Sequence, residues 1–108
     1  MKDDKLYLIH IDECIARIES YVADVDKEQF LDSTLIQDAV VRNLQTMAES
    51  TQRLSDEIKD NNSQIDWFKI SGFRNVLVHD YLGLDIERVW NILEKELPAL
   101  KKAVQEML

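Results

Sequence analysis

Ser71-Gly72-Phe73-Arg74-Asn75-Val76-Leu77-Val78-His79-Asp80-Tyr81 gathers an arginine, an asparagine, a histidine and a tyrosine into eight residues of a chain with only two histidines. Three consecutive apolar residues, Val76 to Val78, separate the arginine from the histidine. On a helix those three point about 100° apart, so protein rather than water covers most of the circumference. Arg74 and His79 are then polar groups on a largely buried element, where charge is expensive unless paired or put to use. The stretch predicts a central helix for which the rest of the chain is a scaffold.

Composition agrees with a helical scaffold. Two glycines and one proline in 108 residues are too few for the turns of an all-β chain, so an all-α fold is expected. The length suits one domain, residues 1–108, with a core of modest size. No run approaches the ~20 apolar residues needed to cross a bilayer, and Met1-Lys2-Asp3-Asp4 does not open a signal peptide. A single cysteine, Cys14, excludes an internal disulfide and fits a reducing cytoplasm. It falls in an apolar helical pattern and reads as core rather than nucleophile. The net charge of −8 argues against broad, non-specific nucleic-acid binding but leaves room for a local basic cleft.

Outward from the centre, the apolar spacing predicts three further helices. Leu8, Ile11, Ile15, Ile18, Val22 and Val25 recur at helical intervals and place the first helix at about residues 4–25. His10 lies just off this stripe and reads as a surface or packing histidine, since nothing nearby supplies a second metal ligand at a useful spacing. Lys27 to Leu31 reads as a connecting turn that tucks Phe30 into the core. Asp32, Ser33 and Thr34 offer N-cap chemistry for a long second helix at about 33–59, with Thr34 and Gln37 at capping-box spacing. Its core stripe is Ile36, Val40, Leu44, Met47, Thr51, Leu54 and Ile58. A second face carries Asp38, Arg42, Gln45, Glu49, Gln52 and Asp56. That face is either solvated, with ion pairs such as Asp38–Arg42, or partly engaged with Arg74 or a dimer cleft.

After the polar loop Asp60 to Gln64, Asp66 caps the central helix, with Trp67, Phe68 and Ile70 expected as packing anchors. Gly83 fits a C-cap just after Tyr81. Asp85 starts the last helix, whose stripe of Ile86, Trp90, Leu93, Leu97, Leu100, Val104 and Met107 keeps its phase through Pro98. A kink or two abutting helices is expected there rather than a change of direction. The sum is an antiparallel bundle of about four to five helices.

Arg74 and His79 lie five residues apart, so on an ideal helix they diverge by about 140° and about 7.5 Å. Asn75 and His79, four apart, share a face. Either the long arginine side chain reaches round, or a second copy of the helix brings its own pair across a two-fold axis. Two arginines and two histidines suit metal-free cleavage of an RNA phosphodiester. Histidine moves the protons, and arginine grips the phosphate and steadies its developing charge. Lys69, Arg74, Arg53, Arg42 and Arg88 are the cations that could line such a cleft. Spacing alone also allows a purely structural arginine and histidine.

Arg74-Asn75-Val76-Leu77-Val78-His79-Asp80-Tyr81 resembles the R-x4-H-x-Y signature of the HEPN superfamily, specifically its HepT toxin branch. Gln37-Asp38-Ala39-Val40-Val41-Arg42-Asn43-Leu44, Trp67, and Val89-Trp90 to Leu97-Pro98 are similar to that branch in order and spacing. The resemblance thus covers nearly the whole chain. Thr46 to Arg53 matches more loosely and leaves the role of Glu49 open.

The resemblance implies a homodimeric, metal-independent endoribonuclease without cofactor, the toxin of a type VII toxin–antitoxin system acting on tRNA or mRNA. Arg74 and His79 would be its catalytic pair, with Asn75 the polar residue that follows the arginine. Tyr81 stands where HepT toxins are AMPylated by MntA, a minimal nucleotidyltransferase that serves as antitoxin. Adenylate there would add bulk and negative charge beside the phosphate site. Read without the resemblance, Tyr81 is a helix-end tyrosine with a packed ring. The competing expectation is a non-catalytic HEPN module that binds nucleotide or substrate for a nucleotidyltransferase, with Arg74 only gripping phosphate.

Overall fold

In a computed structural model, the backbone is described for residues 2–79 and 85–108 and the side chains for residues 3–74 and 85–108. Seven α-helices and one π-helical turn make up the described chain, with no strand among these residues. They are α1 (Lys2–Val22), α2 (Lys27–Asp32), α3 (Thr34–Gln52), α4 (Asp56–Asp60), α5 (Trp67–His79), α6 (Ile86–Asn91), the π turn (Ile92–Glu96) and α7 (Leu97–Met107). The all-α bundle expected from composition and periodicity is what forms. No described helix is long and apolar enough to cross a membrane.

Cross-helix bonds give the directions. Asp4 meets Ser55 and His10 meets Ser50, so α1 and α3 run antiparallel. Gln52 meets Ser71 and Glu49 meets Arg74, so α3 and α5 are antiparallel as well. Lys101 Nζ reaches Glu19 from α7. Between these rods sit Ile11, Cys14, Ile15 and Ile18 of α1, Val40, Leu44, Met47 and Thr51 of α3, and Leu100 and Val104 of α7, all buried. These are the positions three and four apart that the sequence marks. Phe30 is fully buried as expected and packs on Trp90, ring centroids 5.2 Å apart.

The structure redraws several boundaries. The first helix stops at Val22 rather than 25, because Asp24 takes a left-handed conformation (φ 61°) that aspartate tolerates better than most residues. The expected turn at Lys27 to Leu31 is helix α2, closed by a capping box in which the Asp26 carboxylate accepts from Gln29 N–H and the Gln29 side chain accepts from Asp26 N–H. The cap of α3 is Ser33, whose hydroxyl accepts from Ile36 N–H. Gln37, expected in a box with Thr34, instead donates to the Phe30 and Leu31 carbonyls.

The long second helix is two. It breaks at Arg53-Leu54-Ser55, where Asp4 accepts from both the Ser55 amide (2.8 Å) and hydroxyl (2.6 Å) while Ser55 Oγ caps α4 through Ile58 N–H. The last helix is interrupted at the π turn, where Leu97 N–H reaches the Ile92 carbonyl. Pro98 would press its ring on the carbonyl four residues back in a regular helix, and the wider turn relieves that clash. These breaks raise the segment number above the expected four to five helices.

Two details concern the central helix. The Asp66 carboxylate accepts from Lys69 N–H, supplying the expected cap, and Trp67 Nε1 donates to the Lys59 and Asn62 carbonyls. Trp67 and Ile70 pack as expected, but Phe68 is 91% exposed. Ile70 and Phe73 take the core face of α5, and Phe68 sits about 160° round the helix from Ile70.

Candidate active site

Arg74 stands on the exposed side of α5, facing α3. Its Nε donates to Glu49 Oε1 at 3.2 Å. One turn away, Gln52 Nε2 donates to the Ser71 carbonyl. Glu49, Gln52, Arg53 and Arg74 together line a groove of about 380 Å³. Glu49, Gln52 and Arg53 fall three and four apart on α3, so antiparallel packing aims one polar strip of α3 at one residue of α5. Part of the second face of the long helix is thus engaged with Arg74, the sharper of its two readings. Among the described residues, no Asp38–Arg42 ion pair accompanies it.

The Arg74–Glu49 pair is about half exposed on both sides (45% and 53%). At such exposure an ion pair is worth about 0–1 kcal/mol. A phosphodiester offering two oxygens to the guanidinium can displace it. With two guanidinium groups against one carboxylate, the groove is cationic in an acidic chain. Of the five cations proposed for a cleft, Arg53 and Arg74 converge here, Lys69 and Arg88 line a separate groove, and Arg42 lines neither.

Asn75 and His79 share α5 with Arg74. The side chains of Asn75 and His79 lie outside the described residues, as do Tyr81 and the Gly83 cap altogether. His10 has a partner that sequence did not supply, its Nδ1 lying 3.1 Å from Ser50 Oγ across the α1–α3 seam. Cys14 is fully buried, and that burial pushes its thiol above the usual range, as befits a core residue.

The fold and site define an antiparallel all-α bundle with a half-exposed arginine of its central helix in a cationic groove. The family model described as ribonuclease HepT-like matches residues 11–107. The chain belongs to that family. A "Putative RNase" of Caldanaerobacter subterraneus subsp. tengcongensis is 35% identical over 109 residues, covering 100% of this chain and 96% of that protein. A "Gamma-glutamylcyclotransferase and putative RNase" of Methanocaldococcus jannaschii is 33% identical and covers 99% of this chain. This chain spans about half, 48%, of that protein's length. A "Probable ribonuclease HepT" of Thermococcus cleftensis is 28% identical, with 98% and 96% of the two chains covered. No solved structure matches the chain.

Proposed function

We propose that residues 1–108 act as one domain, a metal-independent endoribonuclease and the toxin of a type VII toxin–antitoxin pair, working as a homodimer in the cytoplasm. The observation that carries this reading is the Arg74 guanidinium, held at the surface by a weak pair with Glu49 in a groove it shares with Arg53. Membership of the ribonuclease HepT-like family supports RNA as the substrate. Arg74 grips the scissile phosphate. His79 of one chain takes the 2′-hydroxyl proton, and the freed oxygen attacks phosphorus. His79 of the other chain gives a proton to the departing 5′-oxygen, leaving a 2′,3′-cyclic phosphate and a 5′-hydroxyl. Asn75, four residues before the histidine in sequence, orients it or the substrate.

The dimer gains support from the exposed side of α5. Phe68 stands 91% exposed, and one turn on, a Cβ added at Gly72 would meet nothing within 4 Å. A large apolar side chain beside a bare backbone is self-complementary across a two-fold axis, Phe68 of each copy seating over Gly72 of the other. Such pairing sets two copies of α5, each carrying its own arginine and histidine, against one another. Control falls on Tyr81. AMP transferred there by a MntA-like nucleotidyltransferase adds a phosphate's charge and an adenosine's bulk two residues along the chain from His79.

The test is expression of the chain alone beside His79→Ala. The parent arrests growth and cleaves RNA in EDTA, and the variant loses at least about 10²-fold of the cleavage rate. Equal behaviour of the two would favour the non-catalytic nucleotide-binding module. A mass increase of one or more AMP units on Tyr81, seen only with the nucleotidyltransferase, checks the control.

A further inference from the structure

Across α5 from the Arg74 groove lies a second cationic groove, of about 200 Å³. Lys69 enters it from α5, and Arg88, Asn91 and Lys95 enter from the other wall. Positions 88, 91, 92 and 95 recur at three and four and form one helical strip. Its floor is apolar, made by Phe73 (2% exposed) and Ile92 (5% exposed). Lys69 is paired with Glu96 at 2.5 Å. Among the described residues, no carboxylate pairs with Arg88 or Lys95. Three cations thus converge on one concavity against one carboxylate, in a chain of net charge −8. Grouping like charges is unfavourable until an anion joins them.

We infer that the Lys69–Arg88–Lys95 groove is a second phosphate subsite, taking the RNA backbone away from the bond cleaved at Arg74. It rests on the ribonuclease reading. On an ideal helix Lys69 and Arg74 diverge by about 140° with the buried Ile70 and Phe73 in the arc between them, so the two grooves open on opposite sides of α5. The local charge lets an acidic protein bind RNA, because only two narrow grooves need to be cationic. The apolar floor keeps the cation heads at the rim, where they meet phosphate without being buried.

The test compares the wild type with Arg88→Gln/Lys95→Gln, and with Lys27→Gln/Lys102→Gln as a control at exposed cations elsewhere. The ligand is a labelled single-stranded 2′-O-methyl RNA 12-mer, which binds without being cut. Loss of two phosphate contacts weakens binding on the order of tenfold at ~0.1 M salt and makes the log–log salt slope shallower by about 1.4. The control stays close to wild type. Cleavage of a dinucleoside monophosphate, with one phosphate to offer, keeps its kcat/KM, while KM for a longer RNA rises. An unchanged affinity and slope in the Arg88/Lys95 variant overturns the inference and leaves the ribonuclease reading standing. So does an equal loss in the control, a changed oligomeric state, or competition by inorganic phosphate as strong as by the 12-mer. A wild type that neither binds nor cleaves RNA overturns both.

Discussion

At the scale of single residues, the decisive pair is Arg74 and Glu49. A carboxylate 3.2 Å from the guanidinium Nε competes with phosphate for it. Because both partners are about half exposed, the competition is weak and depends on salt. Glu49→Gln therefore tightens RNA binding a few-fold at low ionic strength, with the gain fading as salt rises. If Glu49 also aims Arg74 at the substrate, kcat falls in the same variant while the binding gain remains, so kcat and affinity measured together separate the two roles. Sequence marked Arg74 and left Glu49 open, because the pair joins residues on different helices, and spacing within one helix says nothing about such a contact.

Among the elements, the joint between α1 and the α3–α4 break carries the clearest titration. Asp4 is 7% exposed, and its carboxylate accepts from the Ser55 hydroxyl and amide. The Ser55 hydroxyl, foremost, holds its pKa below the ordinary carboxylate value of 3.8, against the opposing effect of burial. Since the folded value is depressed, this contribution is present above the unfolded value and disappears as the pH falls through the folded one. Asp4→Ala costs about 1–3 kcal/mol at pH 7, with two donors left unmet. The gap between variant and wild type narrows below about pH 4. Urea unfolding at pH 7 and pH 3 reads both. The same joint explains the divided second helix. The core stripe runs through Leu54 to Ile58 without a phase change, but a carboxylate from α1 takes Ser55 as partner where its hydroxyl caps α4.

For the molecule as a whole, association is the open face. Phe68 has about nine-tenths of its surface in water on the helix that carries Arg74, and Gly72 leaves room beside it. Phe68→Glu removes nothing from the core and places a charge at the centre of the proposed two-fold contact. The variant keeps its helical circular dichroism and thermal midpoint at low concentration, sediments as a monomer, and loses RNA cleavage. A variant that still sediments as a dimer would move the contact to another face. Sequence placed Phe68 with the anchors because aromatic residues usually bury, and the orientation of α5 against α3 excluded it.

What the residues fixed by themselves is what local geometry controls: the helical class, the core stripes of α1, α3 and α7, the buried Phe30 and Cys14, and the caps at Asp66 and Asp85. Each follows from intervals of three and four or from one side chain meeting a nearby backbone amide. Tertiary structure decided the rest: where helices break, which carboxylate meets Arg74, that Phe68 faces water, and that the cations divide between two grooves. Those depend on the rotation and direction of one rod against another, and periodicity along a single rod carries neither.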